Sequence, residues 1–388
     1  MWSVPKGWKI LKLIDMAQII RGTEPGSSSY TEDPKHHRFL RVGDISKKRK
    51  NIVYTNSEKI VLVNKEDLLM TFDGSPGIVA DGFEGAISSG IRKIVITNNE
   101  VEKDYLKYFL KTDYVQKIIQ KYTTGATILH ASKSIPHITI CYPSLGEQKK
   151  IVKILSMIEK TISKRIEANA LTDDYLNAVF FNLFGNLNDN LYNWEVRKLG
   201  ELSDVVSGVT KGRKLKDKKL VKVPYMRVAN VQDGFLDLND VKEIEVLESD
   251  IQKYRLLEGD VLLTEGGDPD KLGRGTVWRN EISNCIHQNH IFRVRVDREF
   301  LLPEYLSMCA GSNYGKKYFL KSAKQTTGIA TINSKQLKSF PVPVPPIELQ
   351  RKLKMIVDRI NELKVKQKKS QEELNKLFKV LLNSLFKG

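Results

Sequence analysis

Disulfides, membrane spans and a surplus of acid are all missing from this sequence. Its three cysteines, Cys141, Cys285 and Cys309, are odd in number and far apart, which argues against a disulfide framework and leaves buried thiols as the expectation. The longest apolar run, around "AVFFNLF", falls far short of the ~20 residues a membrane helix needs. The opening "MWSVPKGWKI" lacks the charged start, apolar middle and cleavage site of a signal peptide, so the cytoplasm is the expected location. Asp and Glu number 46 against 63 Lys and Arg, and the net charge of +17 points to a polyanionic partner, nucleic acid before a membrane surface.

Catalytic signatures are missing too. There is no Asn-Pro-Pro-Tyr or Asp-Pro-Pro-Tyr loop of a methyltransferase: "VPVPPIEL" has the prolines without the polar residue or the aromatic. The phosphate-cradling Gly-x4-Gly-Lys-Ser/Thr loop is absent, and "GGDPDKLGRG" carries its glycines at the wrong spacing. Asp268, Asp270 and Lys271 are close enough in sequence to suggest a metal-dependent nuclease, but a turn explains them better. "CIHQNH" offers Cys285, His287 and His290 to zinc with no fourth ligand at a usual spacing. The expectation is a chain with no catalytic residue, metal or bound cofactor of its own.

What the sequence does contain, it contains twice. "GWKILKLIDMAQIIRG" aligns with "NWEVRKLGELSDVVSG" at an offset of 186, placing Trp8 on Trp194 and Gly22 on Gly208. "FLRVGD" falls on "YMRVAN" at the same offset, matching Arg41 with Arg227. "EDLLMTFDG" meets "GDVLLTEGG" at 193, "DYLKYFL" meets "EYLSMCA" at 200, "TTG" recurs at 203, and "YPSLGEQKKI" meets "VPPIELQRKL" at 202. Matched blocks read as strands and helices, and the changes in offset fall between them, where loops tolerate insertion. One framework therefore carries two different sets of loops, as reading two different short sequences would require.

Each copy divides into a globular part and a long helix. Alternating stretches such as "KIVIT" and "FRVRV" suit strands, and "EKDYLKYFLKTDYVQKIIQKY" suits short amphipathic helices with Tyr105, Phe109 and Ile118 on one face. Proline then vanishes from Gly146 to Gly185 and from Glu348 to Gly388, with Pro143, Pro345 and Pro346 just upstream. Apolar residues fall at Ile151, Leu155, Ile158, Ile162 and Ile166, and again at Leu353, Val357, Ile360 and Leu363. At 1.5 Å per residue a forty-residue helix is ~60 Å long, which suits a coiled coil, and the two stripes are expected to pack on each other. The expected boundaries are a first domain over 1–145, a long helix over 146–185, a short linker and second domain over 186–346, and a second long helix over 347–388. The fold class is α+β: two similar mixed α/β domains joined and spaced by two long antiparallel coiled-coil helices, with an internal pseudo-two-fold repeat.

This layout resembles the specificity subunit of a type I restriction-modification enzyme. The likeness rests on the duplication, on the helix starts "YPSLGEQKKIVKIL" and "VPVPPIELQRKLKMI", on "DLLMTFDGSPG" and "DVLLTEGGDPDKLGRG", and on "HQNHIFRVR". Copy one has Ser144 where the family's second proline is expected, and copy two has Leu349 where its Glu is expected. The resemblance implies a non-catalytic DNA reader. Each globular part would be a target recognition domain for one half of a bipartite duplex site, and the helices would space the halves and dock two modification subunits. S-adenosylmethionine, ATP and Mg would belong to partner modification and restriction subunits, and no membrane would be involved.

Candidate DNA contacts follow from charge and from divergence between the copies. The basic runs supply Lys47, Lys48, Arg49 and Lys50, then Lys211, Arg213 and Lys214, as phosphate contacts. Arg41 and Arg227 recur, so they suit either a common phosphate contact or a shared internal salt bridge. Base readers are expected in divergent loops: 22–37, 47–51 and 74–89 in copy one, and 211–222, 266–278 and 287–290 in copy two. There Arg213, Lys271 and Arg274 suit guanine or phosphate, and Gln288 and Asn289 suit adenine. The repeated "TTG" reads better as frame than as a contact. The alternative to sequence-specific recognition is a coiled-coil scaffold that holds nucleic acid loosely.

Overall fold

The computed structural model describes residues 4, 6–46, 51–212, 220–267, 272–326 and 329–386. The chain forms two compact units: Met1–Glu167 with Gln367–Gly388, and Ala168–Lys366. No helix among the described residues is long and apolar enough to cross a membrane.

In the first unit an antiparallel sheet runs in the order Ala17–Arg21, Ile91–Ile96, Leu68–Thr71, Val79–Ala80. Of its two inner strands, Leu68–Thr71 is buried throughout and apolar at its first three positions because both faces are covered. Side chains alternate across a strand, so Leu68 and Met70 enter one core with Tyr105, Leu106 and Phe109, while Leu69 enters another with Leu40, Ile45 and Ile87. The second unit repeats the plan with Ser203–Ser207, Ile291–Val296, Val261–Thr264 and Gly275–Val277 in the same order. There Val261 and Leu263 face Tyr305 and Leu306, and Leu262 faces Met226, Leu256 and Trp278.

Two further features recur. A short pair joins Lys9–Lys12 to Thr139–Tyr142 in one unit and Val196–Lys198 to Pro341–Pro343 in the other. A parallel pair joins His37–Leu40 to Gly85–Ile87, and Val221–Met226 to Ile286–His287. Beyond that parallel pair the copies part company. The first unit adds Tyr30–Thr31, Tyr54–Thr55 and Leu62–Val63, whereas the second adds Lys242–Val246 and the helix Glu248–Tyr254.

The stretch after Val101 forms two helices, Lys103–Leu110 and Asp113–Lys121. Glu102 caps the first by accepting from the Tyr105 N–H at 2.7 Å. Tyr105 and Phe109 are buried and Ile118 is half-buried, because it lies on the second helix, past the break at Lys111 and Thr112. Their counterparts are Pro303–Gly311 and Asn313–Ser322.

The long helices run Leu145–Phe184 and Ile347–Ser384. Both begin on a buried glutamine amide. Gln148 Oε1 accepts from the Glu102 N–H at 2.9 Å, and its Nε2 donates to Glu100 O (2.7 Å) and Pro143 O (2.9 Å). Gln350 repeats this with the Leu302 N–H (2.8 Å), Phe300 O (3.0 Å) and Pro345 O (2.9 Å). A buried tyrosine adds a matching bond beside each: Tyr105 Oη to Cys141 O and Tyr305 Oη to Pro343 O.

The expected stripes are only partly interior. Ile151, Leu155, Ile158, Leu353, Val357 and Ile360 are buried and Ile162 is half-buried, but Ile166 is 53% exposed and Leu363 46%. A straight helix drifts by ~20° per heptad against a 3.5-residue repeat, so a stripe that starts in a core turns out of it within a few turns. The stripes also do more than face another helix. Ile151 and Leu155 join the first domain's core together with Leu382 and Phe386 from the end of the second long helix. Leu353 and Val357 join the second domain's core with Phe180 and Phe184 from the end of the first. Phe386 meets Tyr105 and Phe109 edge-on at 5.1 and 5.3 Å, and Phe184 meets Tyr305 at 4.8 Å. The similar closing phrases "VFFNLF" and "LLNSLF" are thus aromatic plugs.

Gly22 and Gly208 mark a close backbone approach kept in both copies. A Cβ on Gly22 would lie 2.3 Å from Ser88 O, and one on Gly208 would lie 2.0 Å from His287 O. Gly208→Ala forces those backbones apart at a cost of about 1–3 kcal/mol, read as a thermal midpoint lower by roughly 2–4 °C per kcal/mol. An unchanged midpoint would contradict the close approach.

Candidate nucleic-acid interface

At one edge of each central sheet the divergent loops leave the frame. In the second unit the Val209 N–H donates to His287 O (2.8 Å), the Asn289 N–H to Val209 O (3.0 Å) and the Glu265 N–H to His290 O (3.0 Å). These bonds bring Val209, two residues before Lys211, against His287 and Asn289, and set His290 against the turn after Val261–Thr264. The hairpin of Lys324–Thr326 and Ile329–Thr331 joins the same edge by pairing with Gly266–Gly267. In the first unit the Thr23 N–H donates to Ile87 O (3.0 Å) and the Gly74 N–H to Leu129 O (2.8 Å), while Thr124 and His130 exchange backbone bonds at 2.9 and 2.7 Å. The first "TTG" segment therefore opens a hairpin laid on the turn that follows Leu68–Thr71, and Thr326 of the second ends a strand paired with Ile329–Thr331. Gly125 takes φ +106 at the first tip, while Thr327 and Gly328 lie outside the described residues.

Each edge carries an imidazole–carboxylate pair built from different parts of the chain. His130 Nδ1 lies 2.8 Å from Asp73 Oδ1, and His290 Nδ1 lies 2.6 Å from Glu265 Oε2. Arg92 reaches Asp73 (3.4 Å) and donates to Ser132 Oγ (2.8 Å), with burial pushing its pKa down. In the second unit Arg295 grips buried Asp260 with two bonds of 2.7 and 2.8 Å, which raise the arginine's pKa, and Arg293 meets Asp204 at 2.6 Å.

The recurring arginines are tied within their own domains. The Arg227 guanidinium donates to Asp240 O (2.6 Å) and Oδ2 (3.0 Å), and Lys242 and Arg227 together hold that carboxylate's pKa below its usual value. Arg41 Nη2 donates to Asn51 O (3.4 Å), and its Nε lies 3.7 Å from Asp44 Oδ2. Of the two roles open to these arginines, the internal one has visible partners.

Gln288 and Asn289 are half-exposed and follow buried His287. The His287 ring sits between Tyr254 O (3.1 Å from Nδ1) and Val206 O (3.3 Å from Nε2), and burial pushes its pKa down to about 4, so it is neutral at pH 7. Cys285 lies in the interior with its thiol pushed up to about 12 by burial, while His290 pairs with Glu265 at the surface. The three side chains of "CIHQNH" once weighed for zinc thus have separate surroundings. All three cysteines are free and buried.

Lys211 is exposed. Arg274 is half-buried and is not free, since its Nη1 donates to Gln232 Oε1 at 2.6 Å. Lys47, Lys48, Arg49, Lys50, Arg213, Lys214 and Lys271 lie outside the described residues. Sequence reasoning overlooked Gln232 and Phe235, the latter 59% exposed on a tip where Gly234 takes φ +80. The alignment offset jumps from 186 to 193 between Asn230 and Gly259, and that insertion was the signal for this tip.

Residues 5–171 and 192–376 match the family described as type I restriction modification DNA specificity domain. The type I restriction enzyme MjaVIII specificity subunit of Methanocaldococcus jannaschii is 28% identical over 417 residues, 99% of this chain and 93% of that protein. The EcoKI specificity subunit of Escherichia coli K12 is 23% identical over 428 residues, 100% of this chain and 90% of that one. The crystal structure of the type I restriction-modification S subunit from M. genitalium shares the fold, with a TM-score of 0.56 and 18% identity over 100% of this chain and 97% of that chain.

Proposed function

The chain belongs to the type I restriction-modification DNA specificity family, and on that basis we propose that each domain reads one half of a bipartite duplex site. It is a DNA-specificity subunit, not an enzyme in its own right, and DNA and the modification and restriction subunits are its partners. The observation that carries the bipartite reading is the repeated central sheet with unlike outer sheets: one mounting holds two different readers. The net charge of +17 supplies the non-specific attraction to phosphates on which base readout is superimposed.

In this proposal the two long helices pair antiparallel and set the distance between the half-sites. Support comes from each unit separately, since each holds the start of one long helix and the end of the other. The helices also dock two modification subunits, which bring S-adenosylmethionine, while restriction subunits bring ATP and Mg chemistry. The assembly works in the cytoplasm. Half-sites read from one face of the duplex have centres about one turn, ~10 bp, apart.

Footprinting of the assembled methylase is expected to show two protected segments flanking a gap whose sequence is immaterial. A single uninterrupted protected sequence read by one domain contradicts the proposal. Equal affinity for any duplex in competition with random DNA supports the loose scaffold instead.

A further inference from the structure

We propose that Arg274 is a specificity-determining residue that reads a guanine in the second half-site, and that Gln232 is its positioning residue. This rests on the DNA-reading function proposed above.

The backbone of Arg274 is fixed on both sides. Its carbonyl accepts from the Thr264 N–H at 2.9 Å, and the next carbonyl, of Gly275, accepts from the Gly234 N–H at 3.0 Å. Flanking glycines permit the close fit: a Cβ on Gly273, which takes φ +68, would lie 2.4 Å from the Phe319 ring, and one on Gly275 would lie 2.3 Å from Leu262 O. Arg274 thus stands where the strand Gly275–Val277 begins, on the rigid part of the sheet.

Its side chain is fixed as well. Gln232 Nε2 donates to Ala229 O at 2.8 Å, which turns Oε1 toward Arg274 Nη1 at 2.6 Å. The Gln232 N–H is itself held by Phe235 O at 3.0 Å. A neutral amide orients the guanidinium without cancelling its charge. Arg227, Arg279, Arg293 and Arg295 in the same unit all meet carboxylates, whereas Arg274 makes no ion pair among the described residues.

A half-buried cation held in one orientation and, among the described residues, left without a counter-charge matches the needs of base readout. Bidentate pairing with guanine O6 and N7 demands the planar fork in a set direction, whereas a phosphate contact is served by a mobile point charge such as exposed Lys211.

The test uses the assembled methyltransferase complex on duplexes carrying each single-base change in the second half-site. Wild type is expected to discriminate a guanine at one position, and Arg274→Lys to lose about fivefold to 150-fold of that discrimination. The first half-site preference and the thermal midpoint stay as in wild type. Gln232→Ala relaxes the same position in part, and Gln232→Glu, which neutralises the guanidinium, relaxes it as far as Arg274→Lys. Uniform weakening at every position, with a shallower salt dependence, overturns the proposal in favour of a phosphate contact, and unchanged discrimination overturns it outright. If the wild-type complex has no defined second half-site, the DNA-reading function fails; a defined half-site indifferent to Arg274 removes only this assignment.

Discussion

Removing four residues from the middle of each long helix is expected to abolish modification at the original site and transfer it to one with a shorter gap, both half-site sequences unchanged. Between Ile158 and Phe180 in the first helix, and between Ile360 and Leu382 in the second, Gln367 is the only buried side chain among the described residues. Within those stretches, Leu176 and Val179 of the first helix and Phe378 and Leu381 of the second still pack against the domain cores, so the middle of each, clear of those residues, can change length without touching either core. Four residues shorten a helix by ~6 Å and turn it by little more than one full turn, and duplex DNA rises 3.4 Å per base pair, so the gap should close by about two base pairs. Methylation assays on duplexes differing only in gap length decide it. Altered half-sites, or an unchanged gap, would show that the helices do not set the spacing.

Gln350→Leu is expected to cause the largest loss of stability of any single substitution considered. The change leaves the Leu302 N–H and the carbonyls of Phe300 and Pro345 without their partner. An unsatisfied buried polar group costs about 1–3 kcal/mol, and at roughly 2–4 °C per kcal/mol the thermal midpoint of the second unit should fall by about 10 °C. Calorimetry should show that transition moving alone, while Gln148→Leu should move the transition of the first unit. A shift of a degree or less would mean that the amide contributes little to anchoring the long helix.

Much of this architecture was legible because duplication exposes the frame. Trp8 on Trp194 and Gly22 on Gly208 aligned without any knowledge of sheets, and the matched segments became the repeated central sheets. Helix extent was equally open to inspection, since a stretch free of proline, with steps of three and four, specifies little else. The roles of single side chains were less accessible. Gln148 and Gln350 are visible as a repeated letter, but their three bonds depend on which carbonyls the fold brings round. Ile166 and Leu363 fit the period, yet exposure depends on where each helix leaves its core. Arg41 and Arg227 recur, and only the positions of Asn51, Asp44 and Asp240 show what they hold. The outer sheets were the least legible, because they are where the two copies have no common pattern to compare.

Methylome sequencing of a host that carries this gene with its methyltransferase partner tests the two-reader arrangement most directly. The expected result is one methylated motif made of two defined halves around a gap of fixed length and undefined sequence. An uninterrupted motif, or methylation with no motif at all, would contradict it.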